Sequence, residues 1–364
     1  ITTHQSIYLP SLLKAILLLI LCQTPRILDA QSIPELPSKT TIQLTSQQED
    51  ETIITFISGG IVLEKPHTGK SEFCPRLDQG TPILRKGYPD MDKLTTSLII
   101  PADKEMVVEV ISSRYEEINI SILPSKGSIS RQKDPSTISR EKARIYKENA
   151  FFPSSPAMLG QPYILRDHCG QTITAYPFQY NPVTGILRIY TEITVRIKPS
   201  GKQIPNRLAQ KRSNTAIPID FKNIYQRHFI NHTHASRYTP LEEDGNMLII
   251  SYGPFIPEMQ AYIQWKREKG IPVEIVNVAT IGDAEEIRSF VKNYYNSKGL
   301  TWLLLVGDHQ QVPSYLAPIG WSDNFYGYIS GDDHYPEVFV GRFSGENGSH
   351  IKTQVDRTIN YEKY

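Results

Sequence analysis

The chain has 364 residues, of which 39% are apolar and 21% charged, with 39 basic against 38 acidic side chains. Such a length sets a prior of two domains, the apolar share excludes wholesale disorder, and a net charge of +1 gives no overall pull towards nucleic acid. Twenty tyrosines against three tryptophans favour β-structure with polar-edged surfaces.

Residues 1–30 read as a targeting segment. The sequence opens on ITTHQ without an initiator methionine, which predicts a truncated reading frame. Lys14 then precedes AILLLILC, and the segment ends LDAQ. A basic residue, a short apolar core and a small residue form the pattern of a secretory signal peptide, cleaved near Ala30. The apolar core is too short to span a bilayer. Export makes disulfides permissible, and Cys74 and Cys169 could pair, whereas Cys22 lies in the leader.

Residues 31–198 follow a β pattern. ETIITFISGGIVLE, LTTSLIIPADKEMVVEVISS and NISILPSKGS alternate apolar and polar residues between Gly/Pro turns. QTITAYPFQYNPVTGILRIYTEITVRI predicts two strands around the turn NPVTG. A sandwich-like module is expected. Residues 199–237 change character. Lys202, Arg207, Lys211, Arg212, Lys222, Arg227 and Arg237 stand against a single acid, Asp220. With prolines and no base-stacking motif, this segment reads as an exposed basic linker and a proteolysis substrate, not a nucleic-acid site.

From Tyr238 to Tyr364 the order changes to β-α-β-α-β-loop-β-α. MLIIS, VEIVNV, TWLLLVG and EVFVGR are the strands, and helices are expected over IPEMQAYIQWKREKG, DAEEIRSFVKNYYNSKG and HIKTQVDRTINYEKY. Asp283 is an N-cap candidate, and Gly270 and Gly299 fit helix stops. This is the pattern of a doubly wound α/β domain, expected to be incomplete at its C-terminal side.

Two stretches carry candidate chemistry. VGDHQQVP puts Asp308 and His309 at the carboxyl end of the third strand, where open α/β sheets place ligands. ISGDDHYPEVFVGR gathers acids before the fourth strand. If that stretch is extended, Asp333 and Glu337 share a face with the Tyr335 carbonyl between them, a set of hard oxygens that suits Ca²⁺. A solvated acidic turn is the alternative. No phosphate-binding glycine loop and no G-x-S-x-G elbow occurs. His168 beside Cys169 does not read as a catalytic pair, because neighbours on a strand point to opposite faces. NIS at 119, NHT at 231 and NGS at 347 match the glycosylation pattern.

The same residues resemble the gingipain family of secreted cysteine endopeptidases, and its arginine-specific members most. IIPADKEMVVEV, NAFFPS, PYILRD and YPFQYNPVTG resemble the family's propeptide. RYTPLEE, LLLVGDHQQVP, SDNFYG, GDDHYPEVFVGRFS and IKTQVDRTINYE resemble the beginning of its catalytic domain. The resemblance implies a β-rich, sandwich-like inhibitory prodomain followed by the first part of a caspase-like α/β/α catalytic domain. It implies processing between Arg237 and Tyr238, with Arg237 available to an arginine-selecting pocket. It implies a His/Cys dyad and an acidic specificity residue beyond Tyr364, so the fragment is expected to be inert. It also implies structural calcium held by Asp308, the Ser330 carbonyl, Asp333, the Tyr335 carbonyl and Glu337. Pro336 and Gly345, where relatives can carry Cys, depart from the pattern without removing an oxygen ligand. Expected partners are protein substrates and the chain's own prodomain. The expected location is extracellular or at the bacterial outer surface, with no transmembrane segment after the leader is removed. Two competing functions are a non-catalytic calcium-stabilised secreted binding protein and a β-module that serves as a protease inhibitor.

Overall fold

The computed structural model describes residues 27–28, 37–48, 50–66, 71–208, 217–232, 245–318 and 320–364. Most of the predicted leader, and both Arg237 and Tyr238, lie outside these residues.

Eight strands build the first domain: β1 (Thr41–Gln47), β2 (Thr52–Ile57), β3 (Asp92–Ile99), β4 (Lys104–Asn119), β5 (Ala157–Leu165), β6 (His168–Ala175), β7 (Phe178–Asn181) and β8 (Ile186–Gln203), with shorter pairs between them. The long β8 pairs antiparallel with β2, β4 and β7, and β1 flanks β2. β5, β6 and β3 form a second antiparallel sheet. Side chains alternate along each strand, so one face of each sheet can turn inwards. Ile54, Phe56, Ile193 and Val195 of the first sheet join Leu94, Leu98, Ile173 and Ala175 of the second in one core. This is the expected sandwich. The NPVTG turn joins β7 to β8 as the sequence predicts. Asn181 Oδ1 accepts from the amides of Val183 and Thr184, and Gly185 takes the left-handed conformation (φ 71°) that closes it.

The second domain is a four-stranded parallel sheet with three helices. In chain order these are β9 (Met247–Ser251), α2 (Gln260–Glu268), β10 (Val273–Asn277), α3 (Ala284–Lys298), β11 (Trp302–Val306), β14 (Phe339–Phe343) and α4 (Gly348–Lys363). A small hairpin, β12 (Tyr315–Ala317) and β13 (Gly320–Ser322), interrupts the loop before β14. The sheet order is β10-β9-β11-β14. Leu248, Ile250, Leu303 and Leu305 pack against α3 on one face, while Met247, Ile249, Leu304 and Val306 pack against α2 and α4 on the other. Strands covered on both faces explain the unbroken apolar runs. A capping box starts α3: Asp283 accepts from the Glu286 amide, and Glu286 accepts from the Asp283 amide. Gly299 in the left-handed conformation (φ 72°) ends it.

One expectation is corrected. Residues 199–237 are not an irregular linker throughout. β8 continues to Gln203, and a helix, α1 (Ile219–His228), follows. Phe221, Tyr225 and Phe229, spaced by one helical turn, are buried. Asn231 then pairs both ways with the backbone of Ile99, accepting at 2.7 Å and donating at 2.9 Å. The pairing of Cys74 with Cys169, left open by the sequence, does not occur: they are separate free thiols, both buried. Among the described residues no helix is long and apolar enough to cross a membrane. Replacing Phe221 with alanine should cost about 3–5 kcal/mol in urea unfolding, the range for a buried aromatic. A linker residue would cost nothing measurable.

Candidate functional site

Parallel strands carry the chain from one sheet edge to the other, and this separates the residues singled out in the sequence. Asp308 follows β11 at the carboxyl edge, beside Gly307, whose amide donates to the Phe343 carbonyl at the end of β14. Its Oδ1 accepts from the His309 amide, which leads the influences that hold its carboxyl below the usual range. Glu337 lies before β14 at the amino edge, level with the start of β11. A five-residue strand separates the two, about 16 Å at 3.3 Å per residue. Asp308 therefore does not share a ligand shell with Ser330, Asp333, Tyr335 and Glu337, and the acidic stretch does not stand at the carboxyl ends of the strands. Among the described residues, no three His, Cys, Asp or Glu side chains are gathered as a metal cluster.

Nor is the acidic stretch extended. Asp333 folds back, its Oδ1 accepting from the Tyr335 amide at 2.9 Å, and the strand begins only at Phe339. Glu337 has no exposed surface; its Oε2 accepts from the amides of Ile329 and Ser330 at 2.8 and 3.0 Å, while Oε1 has no hydrogen-bond partner. Burial drives its pKa up to about 7. A wholly buried carboxylate with one oxygen unmet is chemically suited to a cation, so the loop fits calcium better than the five-residue set does. His334 is exposed and packs near the Tyr328 ring.

The same loop is where the two domains meet. The Ile164 amide on β5 donates to Asp333 Oδ2 at 2.8 Å. Tyr163 stacks on Tyr335 with ring centroids 4.0 Å apart, and its hydroxyl meets His228 Nε2 at 2.7 Å. Arg166, in the turn between β5 and β6, donates from Nη1 to the carbonyls of Leu300 and Glu337, both in the second domain. Its guanidinium lies over the rings of Phe221 (4.4 Å) and Tyr295 (5.3 Å). Phe221 packs on Phe339, 4.6 Å between centroids, so α1 is wedged between the domains. Ser330 and Gly331 line a seam cavity of about 260 Å³ with Ile164, Arg166, Arg207 and Lys292.

Sequence reasoning missed Arg166, Tyr163 and the aromatic face of α1. A basic residue in a hairpin turn reads as surface, although Phe221, Tyr225 and Phe229 did carry helical spacing. It also missed Arg342, which closes a bidentate pair with Asp323, both contacts at 2.7 Å, and donates to the carbonyls of Gly307 and Val312. His168 and Cys169 do face opposite ways: Cys169 lies in the first-domain core, and His168 sits against Tyr225 at 4.6 Å between ring centroids. Burial pushes both cysteine thiols up, Cys74 to about 12, which makes them poor nucleophiles.

Residues 39–232 match the family model Propeptide_C25, and residues 240–364 match Peptidase family C25. The chain belongs to peptidase family C25. It carries the family's propeptide, through α1, and a stretch of its peptidase domain. Gingipain R1 of Porphyromonas gingivalis is 40% identical over 329 residues, covering 88% of this chain and 33% of the relative. Gingipain R2 of the same organism is 38% identical over 331 residues, covering 88% and 45%. The chain thus spans under half the length of these curated relatives. Among solved structures, a complex of Porphyromonas gingivalis RgpB pro- and mature domains is 34% identical, covers 52% of this chain and 96% of that one, and has a TM-score of 0.47. The crystal structure of the Arg specific cysteine proteinase gingipain R is 42% identical, covers 34% and 30%, and has a TM-score of 0.32.

Burial holds His168 and His228, both at the seam of this C25 chain, below the ordinary imidazole value of 6.5. The unfolded chain therefore binds protons first as pH falls through about 6.5, and stability from these groups is lost on acidification. Glu337 runs the other way, since its raised pKa costs stability as pH rises from about 4.5 towards 7. Thermal melts of a His168→Gln, His228→Gln double variant should therefore fall less between pH 7 and 5 than those of the wild type. An unchanged slope would remove the two histidines from the account.

Proposed function

We propose that this chain is the latent leading part of a secreted endopeptidase that cuts peptide bonds after arginine with a cysteine nucleophile and a histidine partner. The observation that carries the reading is the seam: the propeptide is packed onto the start of the peptidase sheet through Arg166, Tyr163, Ile164 and α1. A propeptide held in this way is suited to keeping the enzyme inactive until it is cut away.

Arg237 and Tyr238 are the processing pair. They fall between the two family matches, which end at 232 and resume at 240, and RYTPLEE puts an arginine where an arginine-selective enzyme could process itself. A relative 42% identical over the shared region is described as an Arg specific cysteine proteinase, which is consistent with that preference. Thiolate attack on the scissile carbonyl would give an acyl-enzyme that water resolves. Neither Cys74 nor Cys169 is fitted to supply that thiolate. In the full-length protein, Arg237→Ala should stop the appearance of a mature N-terminus at Tyr238, read by mass spectrometry. Unchanged processing would overturn this assignment.

The oxygen donors for structural Ca²⁺ are the carboxylates of Asp333 and Glu337 with the carbonyls of Ser330 and Tyr335. The ion would neutralise the charge buried on Glu337 and tie the loop to the amino edge of the sheet. Added calcium should raise the melting temperature at pH 8, and Glu337→Gln should abolish the gain. Asp308→Ala should leave it intact. A gain that survives Glu337→Gln would return the loop to being an acidic turn.

A further inference from the structure

We infer that the turn between β5 and β6 is the anchor of the propeptide, with Arg166 as a plug seated in a socket of the peptidase domain. This deepens the latent-enzyme reading and rests on it.

The first observation is conformational. Leu165 pairs with His168, so Arg166 and Asp167 form a two-residue hairpin loop. Such loops favour Gly or Asn where φ is positive. Arg166 sits there with φ 48°, a conformation that L side chains rarely adopt. Glycine would serve the turn better. An arginine held in this strained position is explained by what its side chain does elsewhere.

The second observation is where that side chain goes. It is only 2% exposed and crosses the seam. It donates to the carbonyls of Leu300 and Glu337, residues that lead into β11 and β14. Aromatic rings from both sides of the seam flank it, Phe221 from α1 and Tyr295 from α3. Its own neighbour Asp167 lies 3.8 Å from Nε and also accepts from the Tyr225 hydroxyl. A buried cation that donates to carbonyls and lies over rings at the centre of a desolvated contact has the character of a binding hot spot. The surrounding pairs, Ile164 with Asp333 and Tyr163 with Tyr335, shield it from water.

The third observation is position. The socket is at the amino edge of the sheet, a strand length away from the carboxyl edge where α/β enzymes build their ligand sites. Anchoring is therefore separable from any contact the propeptide makes at that far edge.

The test uses the full-length protein after cleavage at the junction, with dissociation of the cut propeptide followed by size-exclusion chromatography and by recovery of peptidase activity. Arg166→Gly is the deciding variant, because it relieves the strained turn while deleting the plug. It should dissociate at least about 30-fold faster than wild type, the scale of a hot-spot loss. Arg166→Ala should behave similarly. Arg166→Lys should restore part of the loss, since a point charge lacks the planar face that lies on the rings. Arg144→Ala, which alters a side chain 92% exposed on the propeptide, should dissociate like wild type. Wild-type dissociation from an Arg166→Gly protein that melts at or above the wild-type temperature overturns the anchor and leaves the latent-enzyme reading standing. A wild-type propeptide that neither stays bound nor inhibits overturns both.

Discussion

All four strands of the peptidase sheet run the same way, and this constraint orders everything else in the molecule. Their starts gather along one edge and their ends along the other. The loop of residues 329–337 lies on the first, and Asp308 with the Arg342–Asp323 pair lies on the second. Topology thus assigns two separate tasks to two edges. One edge receives the propeptide, and the other is the side at which doubly wound sheets bind ligands.

At the receiving edge, the contact combines several kinds of interaction of different reach. Stacked aromatics and the face of α1 supply apolar area, while Asp333 and Arg166 supply charge-assisted hydrogen bonds to backbone groups of the opposite domain. Bonds of that kind are worth roughly 1.5–3 kcal/mol each, enough to offset the roughly 1–2 kcal/mol of a left-handed arginine. Glu337 is the exception to this balance. It is buried, half satisfied and hard to ionise, and it sits between the plug and the amides of Ile329 and Ser330.

Local chemistry was legible in the sequence. Asp283 with Glu286, Gly299, the NPVTG turn and the apolar strand runs each announced their structure, because neighbours a few residues apart determine it. The rest depends on partners far along the chain. Three aromatics at helical spacing were present in residues 217–232, but the seven cations of 199–237 and the family-like processing junction at Arg237 gave the segment the look of a linker. Alternation suggested that Asp333, Tyr335 and Glu337 share a face. The backbone turns there instead, and the residues gather through side-chain capping of amides. Asp308 seemed to belong with them because spacing along a sequence does not reveal which edge of a sheet a loop occupies. Arg166 left no sequence signal beyond a tight turn without a glycine.

Every described seam contact from the propeptide side, the β5–β6 turn and α1 alike, comes from residues before 233. The bond after Arg237 lies downstream of all of them. Breaking it would remove none of these described contacts and would change the molecularity of the interaction they make. Before the cut, the plug faces its socket at the high effective concentration of a short tether; afterwards the same surfaces meet at whatever concentration the surroundings provide. In such a design dilution, rather than cleavage alone, determines when the two halves part.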